Sequence, residues 1–288
     1  MRWTLGRSRL VYAGAYVLAG VAAAFVWAAL PGFGLYPRAI VAGGAATLVL
    51  YVAGLLFSNS GFYDVYWSLA PVAFGLTWLF EAQAWKSPRA ILALSVTGLW
   101  GLRLTYNWVS HFQGLDHEDW RYIDMRRKTG RLYPLASLFA LHVFPYVIVS
   151  LGTLPIYEAI RSRARFGALE GVAVVVGVAG VLLETASDLQ LRRFRSQNRD
   201  PSRFLDTGLW AYSRHPNYCG EVMFWWSAAL FGYAVIPSIV LLLGALGVTG
   251  MIVFASIPMA ERRALAKRPS FADHQRRVPS LVPWFPRR

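Results

Sequence analysis

Eight apolar runs leave this chain little choice of fold. They occupy residues 10–30, 39–57, 66–85, 90–108, 134–160, 169–190, 219–233 and 236–257. Most match the roughly 17–25 residues that a helix needs to cross a bilayer. Within lipid each backbone amide must be satisfied inside its own segment, which selects helices over open strands. The intervening hydrophilic stretches are too short for a separate globular unit, and hydrophobic residues make up 56% of the 288-residue chain. The expected fold is therefore all-α: one polytopic integral-membrane domain over residues 1–288, with about eight transmembrane helices and seven as the alternative count. Treating residues 219–257 as one helix would give a rod far longer than a bilayer is thick, so the chain must turn near residues 233–237.

The first run follows Arg2, Arg7 and Arg9, like the basic start of a signal peptide. It is longer than such an apolar core, and no small-residue cleavage site precedes Pro31, so it is read as a span. The net charge of +14 resides in loops rather than on a soluble face, which argues against nucleic acid. Arg121, Arg126, Arg127, Lys128 and Arg131 follow the fourth run, residues 192–214 follow the sixth, and a basic tail ends the chain. The positive-inside rule then places both termini on the cytoplasmic side of an inner (cytoplasmic) membrane. Arg38, Lys86, Arg89 and the arginines at 161–165 are exceptions. The lone Cys219 rules out an intrachain disulfide. The five histidines show no His-x-x-x-His or Glu-x-x-His pair, so no metal is expected. Without a Gly-x-Gly-x-x-Gly turn, any dinucleotide is held by something other than a Rossmann unit.

Polar residues crowd two stretches. The segment Leu209-Trp-Ala-Tyr-Ser-Arg-His-Pro-Asn-Tyr-Cys-Gly-Glu221 runs into an apolar span, where ionisable groups are costly and mark candidate sites. Pro216 suits the first turn of a helix, whose free N–H groups point toward the preceding arginine-rich loop. Just upstream, Glu184, Asp188, Arg192 and Arg195 recur at helical spacing on one face. That face is either an ion-pair ladder or one wall of a polyanion site, carboxylates meeting hydroxyls and arginine forks meeting phosphate. The tail, with Arg262 and His274, is basic and aromatic, and reads equally as an interfacial helix attracted to anionic lipid. In the first half, Trp100, Arg103, Tyr106 and Asn107 share the fourth run, Asp116-His-Glu-Asp-Trp-Arg-Tyr122 follows it, and Asp64 stands at the entry to the third. Glu81, His142 and Glu158 read as helix-end or packing residues.

Ser213-Arg-His-Pro-Asn-Tyr-Cys-Gly-Glu221, with Gly208-Leu-Trp-Ala-Tyr212 before it, resembles the signature of bacterial DUF1295 membrane proteins of the steroid 5-alpha-reductase-like superfamily. That superfamily also holds sterol carbon–carbon double-bond reductases and isoprenylcysteine carboxyl methyltransferases. The resemblance runs from about Asp64 to the C-terminus. Ser187-Asp188 followed by Arg192 and Arg195 is similar to the reductases' cofactor helix, and Asn217 and Glu221 match their cofactor-side residues. Asp64, seven residues before Pro71, stands where the steroid reductases carry a carbonyl-polarising glutamate. Their catalytic tyrosine falls near Trp100 here, with Tyr106 the nearest alternative; Glu184 replaces an asparagine; and Glu261, Arg262 and His274 only loosely echo their C-terminal contacts.

The resemblance implies an NADPH-dependent oxidoreductase acting on an activated CH–CH bond of a lipophilic, steroid-like or isoprenoid substrate that enters from membrane lipid (3-oxo-5-alpha-steroid 4-dehydrogenase-like). It implies catalytic roles for Asp64 and Tyr106, and substrate contacts from Trp100, Arg103 and Asn107. Cofactor contacts are expected from Asp188, Arg192, Arg195, Tyr212, Arg214, His215, Asn217, Glu221 and Arg262, with the cofactor half spanning residues 184–288. Two alternatives stand beside it: an S-adenosylmethionine-dependent methyltransferase of a lipid or prenyl carboxylate, and a non-enzymatic lipid transporter or binding protein. The oligomeric state is not legible.

Overall fold

Each expected run becomes a helix in the computed structural model, which describes residues 3–287; Arg2, in the basic start noted above, lies outside them. The order is α1 Leu5–Ala29, α2 Leu35–Leu56, α3 Tyr66–Glu81, α4 Pro88–His111, α5 Trp120–Thr129, α6 Tyr133–Ser137, α7 Phe144–Arg161, α8 Ala168–Gln197, α9 Pro216–Tyr233, α10 Leu243–Met251, α11 Ile257–Lys267 and α12 Phe271–Arg277. π-Helical turns at Leu138–Val143 and Ile252–Ser256 join α6 to α7 and α10 to α11. Among the described residues there is no strand. Five helical stretches are long and apolar enough to cross a membrane: Leu5–Ala29, Leu35–Leu56, Trp120–Arg161, Ala168–Gln197 and Ile239–Lys267. The chain is an all-helical membrane protein. Of the remaining expected spans, α3 has only 16 residues, α4 carries Arg89 and Arg103, and α9 carries Glu221.

The helix boundaries follow local chemistry. Thr4 accepts a hydrogen bond from the Arg7 amide and Ser87 one from the Ala90 amide, with Pro88 in the first turn of α4, so orphan amides are capped by side-chain oxygens. Pro216 opens α9 as its position suggested, and the expected turn after Tyr233 separates α9 from a short 3-10 turn at Ile239–Leu242.

The chain divides into two compact units, one ending at Arg163 and the other beginning at Ala164. In the first, α1 packs along α2, and α3 packs on α4 and α7. Small residues set these distances, as expected where lipid removes the usual hydrophobic drive and close van der Waals packing must replace it. A Cβ on Gly101 of α4 would lie 2.7 Å from the Ser68 carbonyl oxygen of α3. Ser68 and Thr105 then share a hydrogen bond of 2.9 Å. Two of the arginines that break the charge rule are engaged within the fold. Arg89 is 2% exposed and donates to Ser162, while Arg38 donates to the Trp27 carbonyl and lies 4.1 Å over its ring.

In the second unit α8 and α9 run antiparallel in near-backbone contact. A Cβ on Gly220 would lie 2.5 Å from the Gly180 carbonyl oxygen, and one on Gly180 would lie 2.8 Å from that of Gly220. Farther along, Ser227 of α9 donates to the Ala173 carbonyl of α8 at 2.7 Å. The glycine crossing brings the polar ends of the two helices together.

Candidate functional site

In the second unit the glycine crossing sets Asp188 of α8 beside Asn217 of α9, with Asn217 Nδ2 donating to Asp188 Oδ1 at 3.2 Å. Asn217 Oδ1 is buried and has no hydrogen-bond partner among the described residues. A buried acceptor left unsatisfied costs on the order of 1–3 kcal/mol, so its retention calls for a reason. Glu184, Ser187 and Glu221 are buried in the same interface, and Glu221 accepts from the Trp225 indole at 2.8 Å. Arg192 and Arg195 follow on α8 and are exposed, as is Arg262. The 3-10 turn Gly208–Ala211 is fastened to α8 by the Leu209 amide to Gln190 (2.9 Å) and the Trp210 indole to the Ser187 carbonyl (3.1 Å). Gly208 permits this at φ +62°, its bare Cα facing the Gln190 amide.

Arg214 and His215, expected to meet the cofactor, are engaged in a clasp. Arg214 Nε donates to Glu261 at 2.6 Å, while its Nη1 donates to the carbonyls of Gln275 (2.8 Å) and Val278. His215 Nε2 lies 3.2 Å from the same Glu261 oxygen, and the imidazole stacks on Tyr218 at 5.2 Å. Gln275 donates to the other Glu261 oxygen at 2.6 Å. The tail beyond α12 is extended rather than helical: the Ser213 hydroxyl donates to Leu281, and the Trp284 amide to the Tyr212 carbonyl. Arg214 thus spends its fork on the protein's own tail, which makes it a positioning residue. Tyr212 is 44% exposed and touches the tail through Phe285.

In the first unit the focus is the 3-10 turn Ser60–Tyr63 and Asp64 after it. Asn59 caps the turn and binds the carbonyls of Leu115 and His117, both at 2.9 Å. Glu118 accepts from the Ser60 amide at 2.8 Å and pairs with Arg126 at 3.0 Å. The loop that looked too polar to be a bland connector is what clamps this turn. Asp64 Oδ1 accepts a short hydrogen bond from the Tyr122 hydroxyl, and Trp108 donates to the same carboxylate. Burial pushes the Asp64 carboxyl up to about 6, against the lowering pull of Tyr122 and Arg121. Arg121 pairs with Asp119 at 2.9 Å, which diverts it from neutralising Asp64 directly.

Tyr106 is therefore not the phenol that serves Asp64. It is 69% exposed, two positions before Trp108, and residues two apart on a helix point in different directions. Trp100 is fully buried, a packing residue of α4. Arg103 and Asn107 are half-buried on the same helix, and the Asn107 carbonyl accepts from His111 and Ser110. Glu158 pairs with Arg161 at 2.6 Å and His142 is buried against Tyr51 and Tyr63, the packing roles expected of them.

An apolar cavity of about 480 Å³ opens between α1, α2 and α3, walled by alanines and glycines such as Ala23, Ala42 and Gly43, with Trp27 and Phe74. Four of its lining side chains carry a polar atom: Tyr16, Trp27, Tyr66 and Thr77. Tyr16 donates to the Phe62 carbonyl at 2.8 Å, two residues before Asp64. Among the described residues no group of three His, Cys, Asp or Glu side chains is arranged to hold a metal.

The chain thus has the build of a helical membrane protein with a lipid-sized cavity in one unit and a carboxylate–amide–arginine face in the other. It belongs to the family described as "Protein of unknown function (DUF1295)", which matches residues 50–278. It is also similar to an uncharacterized protein of Schizosaccharomyces pombe, 27% identical over 263 residues, covering 82% of this chain and 76% of the yeast protein. No solved structure matches it.

Proposed function

We propose that this protein is a membrane reductase of an activated carbon–carbon double bond in a lipophilic, steroid-like or isoprenoid substrate, with NADPH as reductant. The observation that carries the reading is the pairing of Asp188 with Asn217, whose buried Oδ1 lacks a partner, beside exposed arginines one and two turns further along α8. A dinucleotide offers the matching chemistry: amide and ribose hydroxyl donors for Asn217 and Asp188, phosphates for Arg192 and Arg195. S-adenosylmethionine carries no phosphate and would leave those arginines without a role. When bound, NADPH supplies hydride to the carbon beta to a carbonyl. The chain's residues do the rest. The apolar cavity takes the lipid and excludes water. Asp64, held by Tyr122 and two residues beyond the Phe62 carbonyl that the cavity-lining Tyr16 binds, would polarise or protonate as negative charge grows on the carbonyl oxygen. Membership of the steroid 5-alpha-reductase-like superfamily, and an inner-membrane setting with both termini cytoplasmic, belong to the same proposal.

Thermal unfolding of the purified protein with NADPH, NADH or S-adenosylmethionine tests it. A ligand at a hundred times its dissociation constant adds about 2.7 kcal/mol. Stabilisation by NADPH supports the reductase, and by S-adenosylmethionine alone a methyltransferase. Indifference to all three leaves a lipid carrier.

A further inference from the structure

The four polar side chains on the cavity wall divide by what each still offers a ligand. Tyr16 donates to the Phe62 carbonyl at 2.8 Å, Tyr66 to Gly43 at 2.8 Å and Thr77 to Ala73 at 2.9 Å. A hydroxyl has one proton to give, so these three face the cavity as acceptors. Trp27 is the fourth, and an indole N–H can only donate. Arg38 stands directly behind it, with its guanidinium 4.1 Å over the Trp27 ring and its Nε bound to the Trp27 carbonyl at 2.7 Å. Donors gather at one end.

That end is well separated from the other. Tyr16 and Trp27 lie about 16 Å apart along α1 at the rise of a helix. Small residues, Gly20, Ala24 and Ala46 among them, wall the slot between. Ala39, next to Arg38 on α2, lines the same cavity. Its volume of about 480 Å³ is that of a site for one small ligand.

Arg38 has no counter-charge in the fold. It is half-buried, and among the described residues no carboxylate lies within ion-pair distance of it. Glu158 of α7, beside the Tyr157 that packs on Tyr36 at 5.5 Å, is taken by Arg161. Charge bias during insertion does not explain Arg38 either, since it stands outside the three basic segments. An arginine at a span end ordinarily reaches outward to water, whereas this one folds back onto a residue of the cavity wall.

We propose that the cavity takes a single-chain lipid anion, its carboxylate or phosphate on Arg38 and the Trp27 N–H and its apolar body running toward Tyr16. The planar fork suits an oxyanion, and the alanine–glycine wall suits a smooth hydrocarbon. The inference rests on the reading of this cavity as the lipid site. It gives the proposed substrate an acidic group at the end remote from Asp64.

The test uses full-length protein in neutral detergent, without nucleotide. Binding of tritiated palmitate is compared with that of methyl palmitate at a pH where the acid is ionised. The wild type should bind palmitate about tenfold more tightly than the ester. Arg38→Gln should erase that preference by weakening palmitate alone, the unchanged ester affinity reporting an intact fold. Arg38→Lys keeps the charge and should retain most of the preference. Should Arg38→Gln lose the ester as well, Arg38→Lys decides, and a lost preference there overturns the assignment. Ala24→Phe, at an exposed position of the wall, should weaken both ligands by obstructing the slot. Equal binding of acid and ester by the wild type, a preference that survives Arg38→Gln, or indifference to Ala24→Phe would each overturn the proposal. So would displacement of palmitate by phosphatidylglycerol at matched concentration, which would put a two-chain bilayer lipid on Arg38. Because no nucleotide is present, failure of the NADPH reading leaves a positive result here untouched, and the converse holds too.

Discussion

Asp64 and Glu261 are both enclosed carboxylates, yet the two units hold them in opposite ways. Glu261 is surrounded by donors that carry or can carry positive charge, Arg214 and His215, with Gln275 completing its shell. Its oxygens are fully spoken for. Asp64 is held by neutral groups, Tyr122 and Trp108, with Arg121 turned toward Asp119. A neutralised ion pair with complete hydrogen bonding is a fastening, and here it fastens the tail across the segment before α9. A carboxyl kept without a direct counter-charge can change its proton state at accessible pH. The first arrangement scaffolds; the second is suited to chemistry.

Breaking the fastening should have the largest effect. Glu261→Ala leaves Arg214 enclosed without its anion and should cost about 3–5 kcal/mol, read as a fall in thermal stability together with faster proteolysis of the tail. A small loss with an intact tail would show that the clasp is ornamental. Gly220→Ala attacks the same unit through the backbone. Its Cβ would stand 2.5 Å from a carbonyl oxygen, so α8 and α9 must part, at about 1–3 kcal/mol, with NADPH binding weakened in step. Stability and NADPH binding that both stay at the wild-type level would contradict the crossing. Arg195→Ala should be milder: if it reads the 2′-phosphate, NADPH affinity falls about tenfold while NADH affinity holds. Equal losses would reject that role.

The smallest effect sharpens the Asp64 side. Its folded pKa, raised to about 6 from an ordinary 3.8, means that folding disfavours the charged form. The stability it contributes is complete below about pH 4 and is lost as pH rises through about 6. Asp64→Asn should flatten the decline in melting temperature across that window, and Tyr122→Phe, which removes a bond to the charged form, should shift the decline to higher pH. A slope unchanged by either substitution would mean that the carboxyl is not confined as described.

The two regions also differ in how legible they were. The elements of the second unit lie close together in the chain: the spacing of Glu184, Asp188, Arg192 and Arg195 declares a helix face, and Pro216 declares where the next helix starts. That Asp188 and Asn217 serve one site was an implication of the family resemblance, while their direct hydrogen bond is set by the glycine crossing of α8 and α9. The diversion of Arg214 into the tail was not readable, since its partners, Glu261 and Gln275, are more than forty residues away and an arginine looks the same whether it meets phosphate or glutamate. In the first unit Asp64 could be singled out by its place before Pro71. Tyr122 could not, because fourteen tyrosines offered no periodic signal to favour the one that lies 58 positions from Asp64. The polarity of residues 116–122 was the available clue, and it marked the right loop without saying which residue counted. Eight apolar runs became eight helical stretches, but length and apolarity qualify five, because α3 has only 16 residues and polar and charged residues dilute α4 and α9.

The most direct test of the central claim follows hydrogen itself. NADPH carrying deuterium at the transferable position is incubated with the protein and a lipophilic enone, and the product is analysed by mass spectrometry and NMR. One deuterium at the carbon beta to the carbonyl, greatly reduced in Asp64→Asn, is the predicted result. An enone returned unreduced and unlabelled, with the folded protein binding NADPH no better than NADH, would contradict the account.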